Sequence, residues 1–175
     1  MADPSHGVRL RRWRDHPADV DALVAAWSDP SVVRASPVPA DASPDGARRW
    51  IRGESQRRDR GLALDLVIGP LCGDLVWGEV GLRGFDMAVG RAEIGWWLAP
   101  AVRGRGLASA AVGLLAAWAL APPLGLRQVW ARVGLANQAS ARVAAAAGFR
   151  RLGTAGANDI WSREALANGA PRARQ

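Results

Sequence analysis

The stretch from Arg91 to Leu120 constrains this chain more than any other. Arg91 to Leu98 reads as a strand, Ala99-Pro100 closes it, and Leu107 to Leu120 is almost wholly apolar over a length that suits a buried helix. Between them stands Arg103-Gly104-Arg105-Gly106-Leu107-Ala108-Ser109. A strand that feeds an apolar helix through a tight turn belongs in a layered domain where the helix lies back on its sheet. Two glycines let the backbone turn with its N–H groups converging outward, and the helix adds the positive end of its dipole and unpaired N–H groups. Such a turn holds a phosphate or diphosphate. Arg103 and Arg105 add charge, and Ser109 adds a hydroxyl donor. Taken locally, the same residues also fit a plain left-handed turn with two solvated arginines. No Gly-Lys-Ser/Thr follows, and the Gly-x-Gly-x-x-Gly spacing of dinucleotide sites is absent.

The flanking sequence predicts the rest of the layers. Val8 to Trp13 alternates apolar and charged residues, as a half-buried strand does. Val20, Leu23, Val24 and Trp27 recur at helical spacing, and Pro30 is expected to end that helix. Residues 30 to 44 hold four prolines and predict a loop. Ser43-Pro44-Asp45 predicts a helix start, and Gly61 a stop. Leu62 to Ile68, Leu75 to Leu82 and Arg91 to Leu98 predict a three-strand meander. After the apolar helix, Pro122-Pro123 breaks the chain. Gln128 to Val133 reads as a strand, Ala139 to Ala147 as a helix stopped by Gly148, and Phe149 to Leu152 with Asp159 to Trp161 as a last strand pair. The order β-α-α-β-β-β-α-β-α-β-β predicts an α/β (α+β) domain. Its mixed, mostly antiparallel sheet would have six to seven strands, with helices on both faces. Residues 1–7 are expected to be a flexible N-terminus, 8–166 one domain, and 167–175 a loose tail.

Composition narrows the function classes. At 175 residues with 49% apolar and 22% charged, one soluble globular domain is expected. No apolar run reaches 18 residues and the first residues lack a secretory core, so no membrane partner and a cytoplasmic location are expected. Cys72 is the one cysteine; it sits in a turn without a nearby histidine and reads as structural, not nucleophilic. His6 and His16 lie far from other ligand candidates, so no metal site is expected. The net charge of +7 rests entirely on arginine, spread along the chain. This argues against nucleic acid as a partner, which would call for arginines clustered on one element. The densest groups, Arg9 to Arg14 and Arg48 to Arg60, read as solvated faces first and as a surface for an acidic partner second.

Arg103-Gly104-Arg105-Gly106-Leu107-Ala108 resembles the Arg/Gln-x-x-Gly-x-Gly/Ala signature of the GNAT acetyltransferases. The run Ala92 to Pro100 is similar to the strand that family places before it, most like the RimJ/RimL-like branch. Asn137-Gln138-Ala139-Ser140, Ala147-Gly148-Phe149 and Gly78 to Leu82 also resemble that branch, and the likeness spans residues 8 to 163. It implies the GNAT fold and acetyl-CoA as co-substrate. Amides from Val102 to Ala108, with Ser109, would hold the coenzyme A diphosphate. Trp96, Trp97 and Leu98 would line a strand edge parted from its neighbour, with Gly95 giving freedom for a bulge. Asn137 would bind the pantetheine arm, and Ser140 would lie near the sulfur. The acceptor would be a small-molecule or peptide amine, attacking directly.

Glu93 is the first candidate for the proton acceptor; an ordinary strand carboxylate paired with arginine is the structural alternative. Asp74 and Glu79 are weaker candidates. The chain has no tyrosine to protonate the leaving thiolate, so Ser140 or water would do so. Ala110 stands where the branch often has an acid, and the hairpin Gly153 to Asp159 is short, which weakens any transfer of ribosomal-protein specificity. Two other readings stay open: a fold that binds coenzyme A without catalysis, and a donor with a longer acyl chain such as succinyl-CoA. Residues 30 to 60 and 150 to 160 are expected to shape the acceptor pocket. Trp27, Trp50, Trp118, Trp130 and Trp161 read as core, with one of Trp96 and Trp97 buried and the other facing a ligand. A homodimer is allowed by the sequence.

Overall fold

The computed structural model describes residues 1–35 and 38–165. Its strands are β1 (Ala2–Asp3), β2 (Val8–Arg12), β3 (Ala63–Pro70), β4 (Gly78–Asp86), β5 (Arg91–Leu98), β6 (Gln128–Gly134), β7 (Arg150–Ala155) and β8 (Asn158–Glu164). Its helices are α1 (Pro17–Ser28), α2 (Pro30–Ala35), α3 (Pro44–Asp59), α4 (Leu107–Leu120) and α5 (Gln138–Ala146). The strands form one sheet in the order β1-β2-β3-β4-β5-β6-β8-β7. All neighbours are antiparallel except β5 and β6.

Alternation along the strands sends side chains to two different layers. Leu66, Ile68, Val80, Leu82 and Ile94 join Leu107, Ala111, Val112 and Leu115 of α4 in one apolar core, with Ala144 of α5. The intervening Val67 and Trp97 point the other way, into a second core with Trp13, Val20, Leu23, Trp27 and Ile51 under α1 and α3. Because α4 is apolar nearly all round, it is the buried centre of the first layer. Leu115 is fully buried there, and truncating such a leucine to alanine costs about 2–5 kcal/mol.

An ion pair and a helix cap fix the second layer. Asp19, in the first turn of α1, is fully buried and accepts both Arg11 guanidinium nitrogens at 2.6 and 2.7 Å, plus the Arg14 amide at 2.9 Å. At α3, Ser43 accepts from the Gly46 amide at 3.1 Å, and Gly61 follows the last turn at φ +66°.

Three expectations need correction. The sheet has eight strands, because Ala2–Asp3 pairs with Val8 and Arg9, so residues 1–7 are not merely a loose lead. Pro30 does not only end α1: it opens α2 inside the stretch read as a loop. Asp29 accepts from the Ser31 amide at 2.7 Å and proline takes the first helical position, a helix-start signal that the prolines around it obscured. Strand β4 starts at Gly78 rather than Leu75 and runs on to Asp86. The expected C-terminal tail lies outside the described residues. Among the described residues, no helix is long and apolar enough to cross a membrane, and no three His, Cys, Asp or Glu side chains gather as metal ligands would.

Candidate active site

The Gly104–Gly106 turn leaves the sheet after β5 through a single 3-10 turn, Pro100–Val102. Gly104 and Gly106 both take φ +76°, and a Cβ at either would meet nothing within 4 Å, so backbone conformation rather than space requires glycine. Gly106 is the residue before α4, and no side chain caps the helix. The first helical bond there runs from the Ala110 amide to the Gly106 carbonyl at 3.1 Å. The amides of Leu107, Ala108 and Ser109 are left for a ligand.

Strands β5 and β6 pair only through Arg91–Gln128, Ala92–Val129 and Glu93–Trp130. Beyond Glu93 they part, so Ile94 to Leu98 keep β4 on one side and present a free edge on the other. The expected bulge at Gly95 is absent: Gly95 pairs in register with Gly81, and the register shift lies between Arg83 and Asp86. The opening comes from β6 turning away to follow β8.

A groove of about 440 Å³ runs from this edge to the glycine turn. It is lined by Trp96, Leu98, Gly104, Gly106 and the first turn of α4, and across from them by one face of α5. That face carries Ala139, Arg142, Val143 and Ala146 at helical spacing. Arg142 was missed by sequence reading, although this spacing could have placed it opposite the turn. A second cavity of about 720 Å³ adjoins the groove, and Ser31, Trp96, Asn137 and Ser140 line both. Its walls include Arg34, Arg83, Glu93, Arg132 and Asn158.

Several side chains do something other than the sequence predicts. Arg103 lines the groove but does not aim its charge at the turn. Its Nε donates to the Leu98 carbonyl at 2.9 Å, and its Nη2 reaches Asp29 at 3.1 Å and Ser31 at 3.0 Å. Hydrogen bonds from Ser31, with Arg103 beside it, hold the Asp29 carboxyl below its ordinary range. Arg105 is exposed and lines neither cavity, and Val102 is half-buried behind the turn. Asn137 caps α5, its Oδ1 accepting from the Ser140 amide at 3.0 Å. The Asn-x-x-Ser spacing is therefore an N-cap as well, and only the Asn137 Nδ2 is left to face the groove. Trp97 packs in the second core and borders the groove alone, whereas Trp96 lines both cavities. Trp130 is half-buried, with the Arg132 guanidinium 5.5 Å from its ring centre.

Glu93 is 6% exposed and closely held. Arg83 donates to Oε1 at 3.0 Å; Arg132 donates to Oε1 at 3.1 Å and Oε2 at 2.9 Å. Burial pushes its carboxyl up, but the hydrogen bonds from the two arginines outweigh that and leave it below the ordinary range. A carboxylate so held is a poor proton acceptor near neutral pH. The geometry matches the structural alternative, a clamp that fixes two guanidiniums. Asp74 is exposed, bonded to Arg14 at 2.9 Å, and lines neither cavity. Glu79 sits across from Trp97 on the α3 side. Burial, then the charge of Asp65, pushes its carboxyl up to about 8, but it also lines neither cavity. Ser140 alone of the catalytic candidates stands where the cavities meet with an uncommitted side chain.

A sheet parted beside an uncapped helix start defines a fold that holds an extended, phosphate-bearing carrier. The family model described as an acetyltransferase (GNAT) domain matches residues 8–150, and the chain belongs to that family. It is an acyl-CoA-dependent N-acetyltransferase with acetyl-CoA as co-substrate. Similar solved structures include the microcin C7 self-immunity acetyltransferase MccE in complex with acetyl-CoA and AMP. That structure is 18% identical, covers 90% of this chain and 92% of its own, and has a TM-score of 0.76. Mycobacterium smegmatis RimJ in complex with CoA-disulfide is 22% identical over 90% and 82%, with a TM-score of 0.76. RimL, the ribosomal L7/L12 alpha-N-protein acetyltransferase, in complex with coenzyme A, is 20% identical over 90% and 94%, with a TM-score of 0.72. At these identities the likeness is one of fold. No curated protein sequence matches the chain.

Proposed function

We propose that this chain moves an acetyl group from acetyl-CoA to a primary amine, either a peptide N-terminus or a small molecule, by direct attack. The observation that carries this reading is the meeting of two cavities at Trp96, Asn137 and Ser140, where β5 leaves β6. One cavity ends at a helix start suited to a diphosphate; the other is large enough for a second substrate.

The residues present fit the donor. The amides of Gly104 to Ser109 would hold the diphosphate, with Arg142 across the groove to neutralise it. The free edge of β5 would bond the pantetheine amides as a neighbouring strand would, and Asn137 Nδ2 would add a donor. Acetyl-CoA supplies the activated carbonyl. A β5 backbone N–H beyond Gly95 would polarise that carbonyl oxygen, and the Ser140 hydroxyl would donate a proton to the departing sulfur. With Glu93 bound by two arginines, the amine would arrive neutral or give its proton to water.

The test is thiol release from acetyl-CoA with a panel of amines, alongside coenzyme A binding by calorimetry. Thiol release that depends on an amine supports the reading. Tight coenzyme A binding with no release for any amine favours a non-catalytic binding protein, and no binding at all sinks the groove assignment.

A further inference from the structure

We propose that the acceptor carries an oxyanion, a carboxylate or phosphate, which docks among Arg34, Arg83 and Arg132 while its amine reaches Ser140. This rests on the acyl-transfer reading and names the class of acceptor that reading leaves open.

Some exposed arginines of this chain have a carboxylate to themselves. Arg14 pairs with Asp74, Arg49 with Asp41, and Arg151 with Asp159. In the large cavity three arginines line the wall and one carboxylate, Glu93, answers two of them. The wall keeps a formal excess of two positive charges. Among the described residues, Arg34 makes no ion pair.

Glu93 does not quench the other two. It takes one N–H from Arg83 and two from Arg132, and a guanidinium has five. Their side chains remain 39% and 52% exposed. What Glu93 does is fix their forks before a ligand arrives, with the Trp130 ring beneath Arg132. A prepared fork gives up little freedom on meeting a planar or tetrahedral oxyanion, which is why arginine suits such ligands. Isolated surface arginines lack this preparation.

The geometry also limits the reach. The Arg83 guanidinium lies over Gly95, with Nη1 3.8 Å from where a Cβ would stand. Gly95 is one residue from Trp96, which lines both cavities. An anion held by Arg83 and an amine at Ser140 would thus lie within the one cavity. A longer acyl chain on the donor is a poorer explanation of the arginines, because a cavity of about 720 Å³ is far larger than such a tail needs. An acidic peptide N-terminus and a small phosphorylated amine share the required chemistry.

The test titrates the protein saturated with coenzyme A, so that binding is read without turnover. Two matched pairs are used: the peptide amide Ala-Glu-Glu-Ala against Ala-Gln-Gln-Ala, and O-phosphoserine against serine. The anionic member of at least one pair is expected to bind about tenfold tighter or more at low salt, with the advantage shrinking as ionic strength rises. Which pair shows it tells a peptide from a small amine. Arg34→Gln and Arg132→Gln are expected to cut the advantage below about threefold while leaving coenzyme A affinity unchanged. Arg34 is exposed, so its variant tests the idea even if Arg132→Gln folds poorly. Equal binding within both pairs overturns the proposal, as does an advantage that survives both substitutions. Thiol release separates this from the reaction itself. Selective anion binding without release would sink acyl transfer alone, and release indifferent to charge would sink anion recognition alone.

Discussion

The groove and the large cavity share four residues yet are built on opposite principles. Apart from Arg103, Arg142 and Asn137, the groove is made of main chain and small or apolar side chains, drawn from β5, the turn after it, the start of α4 and one face of α5. The cavity is made of charged and polar side chains from α2, β4, β5, β6 and β8, which meet only when the sheet is assembled. A partner whose chemistry never changes can be held by backbone, and backbone conformation is written locally, in glycines and caps. A partner that differs from one protein to the next must be read by side chains, and side chains can be exchanged without disturbing the fold.

Substitutions can break that contrast or sharpen it. The largest effect is expected at Gly106, whose φ of +76° proline cannot adopt. Gly106→Pro should lower kcat/KM for acetyl-CoA by more than about a hundredfold, a loss of roughly 2.8 kcal/mol, with the circular dichroism spectrum retained. A mild effect would mean that the turn does not hold the donor.

Glu93 tests the charged side. As a clamp, Glu93→Gln should cost about tenfold in kcat/KM for the acceptor and leave the shape of the pH profile unchanged. A loss of ~10²–10⁴ with a vanished acidic limb would restore it as the proton acceptor. Asn137→Asp separates two duties of one residue. Aspartate still caps α5, so stability should stay within about 0.5 kcal/mol. The lost Nδ2 donor should raise KM for acetyl-CoA by about fivefold, as expected for one hydrogen bond.

An effect on stability rather than turnover lies away from both cavities. Glu79 has its carboxyl raised from the ordinary 4.5 to about 8, first by burial and then by Asp65. The folded state therefore holds a proton that the unfolded chain has released between those two values. Its contribution to stability is full below pH 4.5 and is lost as pH rises towards 8. Glu79→Gln should flatten that fall and melt above the wild type at pH 9, by about 1–3 kcal/mol of unfolding free energy.

Much of this fold was legible because its signals are local. Strand β5 and helix α4 have the predicted bounds, since Pro100 and the two glycines end one and start the other. Helix α2 was lost because four prolines within 15 residues outweighed one Asp-Pro-Ser cap. Strand β1 has only two residues and no periodicity to read. In the site, the glycine turn followed from pattern and the parted strands from the family resemblance. The charge-bearing residues did not. Glu93 was found by its position beside the donor strand, but its role depends on Arg83 and Arg132, ten and 39 residues away. Arg103 looked like a phosphate ligand because sequence shows charge and not direction. Within the site, distance along the chain separates what could be read from what could not.

Arg103 joins the far end of β5 to the α1–α2 corner through the Leu98 carbonyl, Asp29 and Ser31. One side chain thereby ties the donor's landing place to the short helix that carries Arg34. The groove and the large cavity, which already share Ser31, are thus braced by the same half-exposed guanidinium.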